Sequence, residues 1–373
     1  MLMAMTPPTN PLSLALWNFS AQWFLIPQGT GILAVILYHL DYQFPGLHTL
    51  ASIVWVYTIV LLGLTLFIYA LRIMIHPKRV VQQLRTVITE TSGLASICIA
   101  FTTIIQMIAL KYGHDAGIAA FALWWVNAGM AVVALMGIPY VQLKLQPPGM
   151  ARAPPSILLP FIAALTSAAA GGVVCHYGKF SYRLQVPIVI VSYLEIGAGL
   201  ALALAFDGAF FQQHYRHNFP TQQTVYQDMI MCGPFGQASF ALQSLGQVVL
   251  NGSFAHYNRG IFLTAEAAKP IGYISQLAGL FSWGYGTFWW CFAIISIFHT
   301  VFGQEGGWRK IEYSLSEWAL IFPWVCVSKL FSGSLVWFTL LTYQRREYTP
   351  TQQSNLGQSW THLLSPFGRR PSF

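Results

Sequence analysis

Long apolar runs fill this chain almost from end to end, and they constrain its fold more than any other feature. A helix needs about 20 apolar residues to cross a bilayer core. Nine runs are long enough, at residues 23–40, 47–75, 88–110, 117–143, 156–175, 187–211, 227–250, 271–302 and 315–343. Only 8% of the residues are charged, against roughly 25% in soluble domains. We therefore predict a membrane domain at 23–343, in contact with a lipid bilayer, between tails at 1–22 and 344–373.

The continuity of these runs favours helices over a β-barrel. Barrel strands alternate apolar and polar residues over about ten positions, whereas these runs are apolar throughout. A helix pairs its backbone groups within itself, as lipid requires. The sequence predicts an all-α polytopic membrane protein built from helical hairpins.

The basic residues predict the orientation. The net charge is +8, but the Lys and Arg residues lie in short connections and tails, so they do not indicate a nucleic-acid partner. Basic loops favour the cytoplasmic side. With a cytoplasmic N-terminus, the inner connections hold Arg72, Lys78, Arg79, Arg85, Lys144, Arg152, Arg216, Arg309 and Lys310. The outer connections then hold only Lys111, Lys179, Arg183, Arg259 and Lys269. This excess predicts that the N-terminus is cytoplasmic.

Helix-breaking residues concentrate in the odd-numbered runs. These runs contain Pro27-Gln28-Gly29-Thr30-Gly31, Ser92-Gly93, Pro160 with Gly171-Gly172, Gly233-Pro234-Phe235-Gly236-Gln237, and Phe322-Pro323. A helix broken within lipid is tolerated only against protein or a water-filled cavity. We therefore predict that the odd runs are inner helices, kinked in mid-membrane, that line a path. Close packing of small residues is the alternative reading of any single break.

Polar residues in these runs are candidates for contact with a permeating anion. The predicted pore-lining set is Pro27, Gln28, Gly29, Thr30, Pro160, Gly233, Pro234, Gln237 and Ser239. The amides and hydroxyls would give neutral hydrogen bonds, and broken helices would add the positive field of their N-terminal ends. Two charges also lie inside runs, Glu195 and Lys329. Each of these charges can be read as functional. The structural alternative is that neighbouring helices satisfy the charge of Glu195 and that Lys329 extends to the membrane interface.

Nothing in the sequence indicates an enzyme, a cofactor or a metal. The histidines are scattered, and no glycine-rich phosphate loop follows a strand. The five cysteines lie in apolar runs without metal-site spacing, so we expect small buried core residues. They are Cys98, Cys175, Cys232, Cys291 and Cys326.

Five segments in the right order carry a resemblance to a known family. They are WFLIPQGTGILAVIL at 23–37, ILLPFIAALTSAAAGG at 157–172, CGPFGQASFALQSLG at 232–246, WGYGTFWWCFAIISI at 283–297 and WALIFPW at 318–324. The chain resembles the tellurite-resistance/dicarboxylate transporter family. That family includes plant slow anion channels and the yeast malic acid permease, and the chain looks most like its fungal sulfite-efflux branch.

The resemblance implies ten helices in five hairpins, arranged with quasi-five-fold symmetry around a central pore. It implies a phenylalanine plug before a proline in the ninth helix, which is Phe322 before Pro323 here, although a core aromatic is the other reading. Family members are often trimers. The implied function is sulfite efflux across the plasma membrane. A C4-dicarboxylate permease on the same fold, or a non-conducting receptor or scaffold, are the alternatives.

The end of the chain departs from this pattern. The last apolar run, 315–343, is too long for one crossing of a core about 30 Å thick and too short for two. The tail beyond it carries Arg345, Arg346, Arg369 and Arg370, which favour the cytoplasmic side and thus an even number of crossings. We therefore expect nine clear spans and a truncated tenth.

Overall fold

A computed structural model describes residues 7–40, 43–146, 154–217 and 225–302, together with residues 315, 318 and 321. The regular elements of these residues are all helical. The helices are α1 (Pro11–Asn18), α2 (Leu25–His39), α3 (Leu47–Ile75), α4 (Pro77–Thr86), α5 (Ile88–Gly93), α6 (Ala95–Tyr112), α7 (Gly117–Tyr140), α8 (Leu159–Tyr177), α9 (Tyr182–His217), α10 (Gly233–Leu250), α11 (Ser253–Tyr257) and α12 (Ala265–Phe302). Short 3-10 turns at Ala21–Phe24, Gly113–Ala116, Pro155–Leu158 and Val225–Cys232, and a π turn at Val141–Leu145, join several of them.

Eight of the nine predicted spans lie in the described residues, and all eight are helical. Six stretches are long and apolar enough to cross a membrane. One of them, Ile88–Leu145, holds two spans, because the chain turns at Gly113, whose φ of 51° favours glycine. The seventh span, within residues 225–250, is helical but is not among these apolar stretches. The all-α polytopic architecture is thus confirmed, while the truncated tenth span falls outside the described residues.

The helices form an inner row and an outer layer. The most apolar part of Pro155–Tyr177 is entirely buried, whereas only 28% is buried in Leu47–Ile75 and 22% in Ala265–Phe302. The inner helices α2, α6, α8 and α10 pack against one another in that order. Each is backed by its hairpin partner, α3, α7, α9 or α12 respectively. This confirms, for the described residues, that the odd runs are the inner helices.

The ninth run contacts the first inner helix. A Cβ atom built at Gly29 would lie 3.3 Å from Cε3 of Trp318 and 3.6 Å from Cβ of Ile321. The missing side chain at Gly29 therefore gives room for these two residues. Trp318 and Ile321 of the predicted ninth span therefore lie beside α2, at one end of the row of inner helices.

A seam of small residues joins α10 to α12. Gly272, Ser275, Gly279, Ser282 and Gly286 recur every three or four residues on the face of α12 toward α10. Ser275 donates a hydrogen bond of 2.6 Å to the Leu242 carbonyl, and Ser282 one of 2.9 Å to the Phe235 carbonyl. Small residues let the two backbones approach closely, and the hydroxyls add bonds across the helix pair.

Candidate functional site

Each described inner helix contains a joint in its first third. The 3-10 turns Ala21–Phe24, Pro155–Leu158 and Val225–Cys232 run directly into α2, α8 and α10, and α5 meets α6 at Leu94. Pro160 and Pro234 occupy the first turn of their α-helices, where a proline needs no hydrogen-bond partner. The predicted breaks at Pro160 and Gly233-Pro234 therefore coincide with joints, and Gly93 lies beside the joint at Leu94. Gly171 and Gly172 lie in continuous helix.

The backbone N–H groups at three of the joints are already hydrogen-bonded. The N–H groups of Leu25, Leu94 and Leu159 donate to carbonyls of the preceding turn. A backbone N–H already bonded in this way is not available to an anion. These three N–H groups are therefore not donors to a passing anion, and neighbouring side chains are needed as hydrogen-bond donors there.

The predicted residues on α2 are all buried but face different neighbours. Thr30 accepts a hydrogen bond of 3.0 Å from Thr58 of α3 and lies 3.4 Å from the Pro27 carbonyl. Its hydroxyl is thus engaged with the hairpin partner. Gln28 is 2% exposed, and its Oε1 has no partner among the described residues. Because amide rotation exchanges the oxygen for the NH2 group, Gln28 can present a donor or an acceptor.

The predicted residues on α8 and α10 are also buried: Pro160, Gly233, Pro234, Gln237 and Ser239. The Ser239 hydroxyl accepts a hydrogen bond of 3.0 Å from Gln243, one turn further along α10. The Gln243 side chain in turn lies against Gly279 of α12. Ser239 therefore belongs to a polar strip along the α10–α12 contact.

Glu195 is buried between α9 and α8. Gly199 lies against Leu165, and Ser192 lies against Gly171, which places Glu195 opposite Ser167 of α8. Glu195 is 3% exposed, and the Ser167 hydroxyl is its polar neighbour, although the two do not form a hydrogen bond of good geometry. The outer helix α9 thus turns this carboxyl inward, and in the described part of the chain no cation compensates it.

Sequence reasoning missed a network around Glu90, at the start of the third span. Arg72 of α3 donates to Glu90 Oε1 at 2.5 Å, with Arg72 fully buried. Glu90 Oε2 accepts from the Ser20 hydroxyl at 2.6 Å and from the Ala21 N–H at 3.1 Å. Arg72 also donates to Gln83 of α4. We call this set the Glu90 network, and it ties the entry of two inner helices to α3 and α4.

Two further buried carboxyls are bonded to α12. Asp207 accepts hydrogen bonds from the Tyr285 hydroxyl and, at 3.3 Å, from Nε1 of Trp289. Asp228 accepts from the Ser296 hydroxyl at 3.2 Å, and Nε2 of His214 lies 3.9 Å from it. These polar groups reach across from α9 and from the entry turn of α10, so α12 fixes both.

The remaining predictions have separate outcomes. Phe322, Pro323 and Lys329 lie outside the described residues, as does Cys326. Cys98, Cys175 and Cys232 are buried as expected, but Cys291 is exposed on the outer helix α12. The prediction that Cys291 is a buried core residue is therefore wrong. A small apolar residue such as cysteine is also accepted at an exposed position of an outer helix.

The fold and its inner row define an α-helical polytopic membrane protein in which buried helices with almost no charge are each backed by an apolar outer helix. The profile of the family described as SLAC1, voltage-dependent anion channel, matches residues 18–331. The chain belongs to this family, which confirms the resemblance drawn from the five segments.

Characterised relatives cover most of the chain. It is 29% identical over 319 residues to the sulfite efflux pump SSU1 of Arthroderma otae, covering 83% of this chain and 80% of the relative. It is 28% identical over 314 residues to the pump of the same name from Arthroderma benhamiae, with the same coverage. The malic acid transport protein of Schizosaccharomyces pombe is 21% identical over 322 residues, covering 85% of this chain and 70% of that protein.

Proposed function

We propose that this protein exports sulfite across the plasma membrane through a central path between its inner helices. The observation that carries the proposal is the similarity to fungal sulfite efflux pumps over 83% of the chain. The inner helices support it, because α2, α8 and α10 contain no Asp, Glu, Lys or Arg and α6 contains only Lys111, near its end. A malate permease is the second candidate, supported by the lower similarity to the malic acid transport protein.

A neutral path suits rapid anion release. A buried cation would hold an anion tightly, whereas conduction requires binding weak enough to let the ion leave. Gln28, with its unpaired buried amide oxygen, is the polar group on α2 best able to rotate toward a passing ion. Gln237 adds a second amide on α10. A negative cell interior would drive the anion outward with about 2.3 kcal/mol per charge per 100 mV.

Anion flux into proteoliposomes tests this function. Purified protein in neutral lipid vesicles is expected to pass sulfite faster than malate, nitrate or chloride, measured with the same inward gradient of each. Faster flux of malate than of sulfite would favour the dicarboxylate permease. Absence of flux for all four anions, with protein that is folded and monodisperse, would favour a receptor or scaffold and contradict the proposal.

The gate is proposed at Phe322, followed by Pro323, with Lys329 as an attractor for anions. An aromatic ring can block a narrow path without charge, so Phe322→Ala is expected to raise sulfite flux several-fold in the same vesicles. Phe298→Ala is the matched control, because Phe298 is an exposed aromatic residue of α12. An unchanged flux in folded Phe322→Ala protein would assign this phenylalanine to packing instead.

The proposed orientation places the N-terminus in the cytoplasm. The exposed Asn251, directly after α10, would then face outside in its Asn251-Gly252-Ser253 glycosylation sequence. Protease digestion of intact cells should leave an N-terminal tag uncut. Cleavage of that tag would show that the N-terminus is outside and would contradict the proposed orientation.

A further inference from the structure

Helix α4 presents one basic side away from the protein. It lies beside the end of α3, and its Val80 is buried while Gln83 bonds to Arg72. Lys78, Val81 and Arg85 are exposed. Their spacing of three and four residues places them on one side of the helix. Two cations therefore flank an exposed apolar residue, over about 10 Å of helix.

The π turn after α7 adds a third cation beside this helix. Gln146 donates 3.0 Å hydrogen bonds to the Leu84 carbonyl and to the Thr91 hydroxyl, which fixes the turn against α4 and α5. Lys144 is exposed within this turn, between the exposed Leu143 and Leu145. We call Lys78, Arg85 and Lys144 the basic platform.

No carboxylate in the described part of the chain neutralises the basic platform. The only acidic residue of α4, α5 and the π turn is Glu90, which is buried and paired with Arg72. The opposite end of the molecule differs, since Glu266 lies one turn before Lys269 on α12 and Asp115 lies four residues after Lys111. The three cations of the basic platform therefore have no carboxylate partner among the described residues, and Lys179 and Arg183 at the opposite end serve as a comparison.

Exposed apolar residues adjoin the basic platform on its membrane side. Met74 and Ile75 are 77% and 52% exposed at the end of α3, just before α4 begins. Leu143 is 61% exposed beside Lys144. A cationic group at the edge of a lipid-facing apolar surface lies at the level of lipid headgroups.

We propose that the basic platform binds the headgroups of anionic phospholipids, whose acyl chains cover Met74, Ile75 and Leu143. A free inorganic anion could pair with the cations but would leave the adjoining apolar side chains uncovered. A phospholipid has both an anionic headgroup for the cations and acyl chains for the apolar side chains. In the proposed orientation the basic platform faces the cytoplasmic leaflet, which carries the anionic lipids. The proposal does not depend on which anion the protein transports.

Native mass spectrometry of the full chain in detergent tests the site directly. The platform variant is Lys78→Gln/Arg85→Gln/Lys144→Gln, and the matched control is Lys179→Gln/Arg183→Gln/Lys269→Gln at the other end. Each cation near an anionic surface contributes about 1 kcal/mol, or about fivefold in affinity. Phosphatidylglycerol is therefore expected to bind the platform variant about 100-fold more weakly than the unaltered protein.

The control variant should keep its phosphatidylglycerol affinity within about threefold, and phosphatidylcholine should bind all three proteins equally. Equal melting temperatures in neutral detergent would show that both variants fold. Retained phosphatidylglycerol binding in the platform variant, or equal loss in the control, would overturn the proposal. Displacement of the lipid by millimolar inorganic phosphate would instead assign the platform to a free anion.

Discussion

Replacing Arg72 by methionine is expected to destabilise the protein by about 3–5 kcal/mol, because it leaves the buried Glu90 carboxylate without its cation. Glu90 would keep its bonds from Ser20, from the Ala21 N–H and, at 3.5 Å, from the Tyr69 hydroxyl. These bonds join the entry of the first span to the third, so that end of the inner row should loosen first. Thermal unfolding in neutral detergent measures the effect.

The double variant Arg72→Met/Glu90→Gln separates charge from packing. Glutamine keeps an acceptor for Ser20 and Ala21 but removes the negative charge, so the double variant should be more stable than Arg72→Met alone. Arg183→Met, at an exposed arginine outside any described ion pair, should change the unfolding free energy by no more than about 0.5 kcal/mol. A melting temperature for Arg72→Met equal to that of the unaltered protein would show that the ion pair does not hold this end.

The second large effect is expected at Gly171, where α8 meets α9. A Cβ atom at this position would overlap the Ser192 hydroxyl and lie 3.0 Å from Cγ2 of Ile188. Gly171→Leu therefore forces the two helices apart, at a cost of about 1–3 kcal/mol or more for overpacking. Because Glu195 lies on the same interface, sulfite flux should fall together with the melting temperature.

Gly197→Leu on α9 is the matched control, since a side chain there would meet open space. This variant should fold and transport like the unaltered protein. If Gly171→Leu were equally harmless, the close approach of α8 and α9 would not be needed for the fold. If Gly197→Leu were as damaging as Gly171→Leu, the cause would lie in the glycine backbone rather than in helix packing.

The inner and outer layers could be predicted from the sequence because proline and glycine are costly in lipid-facing helices and cheap in buried ones. The detail of the joints could not be predicted, because proline occurs both at kinks within helices and in the first turn of a helix. Pro160 and Pro234 occupy such turns. The sequence also does not reveal how each helix is rotated about its axis, so it predicts Thr30 in the path although the Thr30 hydroxyl is bonded to Thr58 of α3.

The Glu90 network escaped prediction for a different reason. Its members come from segments separated by up to 70 residues, as for Ser20 and Glu90, and each has an ordinary local explanation. In the sequence, Arg72 resembles an ordinary basic residue of a loop, and Glu90 resembles an acidic residue in front of an apolar run. The available signal was a single acidic residue at the head of an inner span, which needs a partner when it is buried.

The modest apolarity of the seventh span bears on how the chain enters the bilayer. Among the described residues, 225–250 form a buried helical arm that is not apolar enough to count as an independent crossing. Its amides and hydroxyls are shielded by α12, whose serines bond directly to the α10 backbone. A helix of this kind gains its place in the membrane from its neighbour rather than from its own partitioning. We therefore expect α10 to enter the lipid paired with α12 rather than on its own.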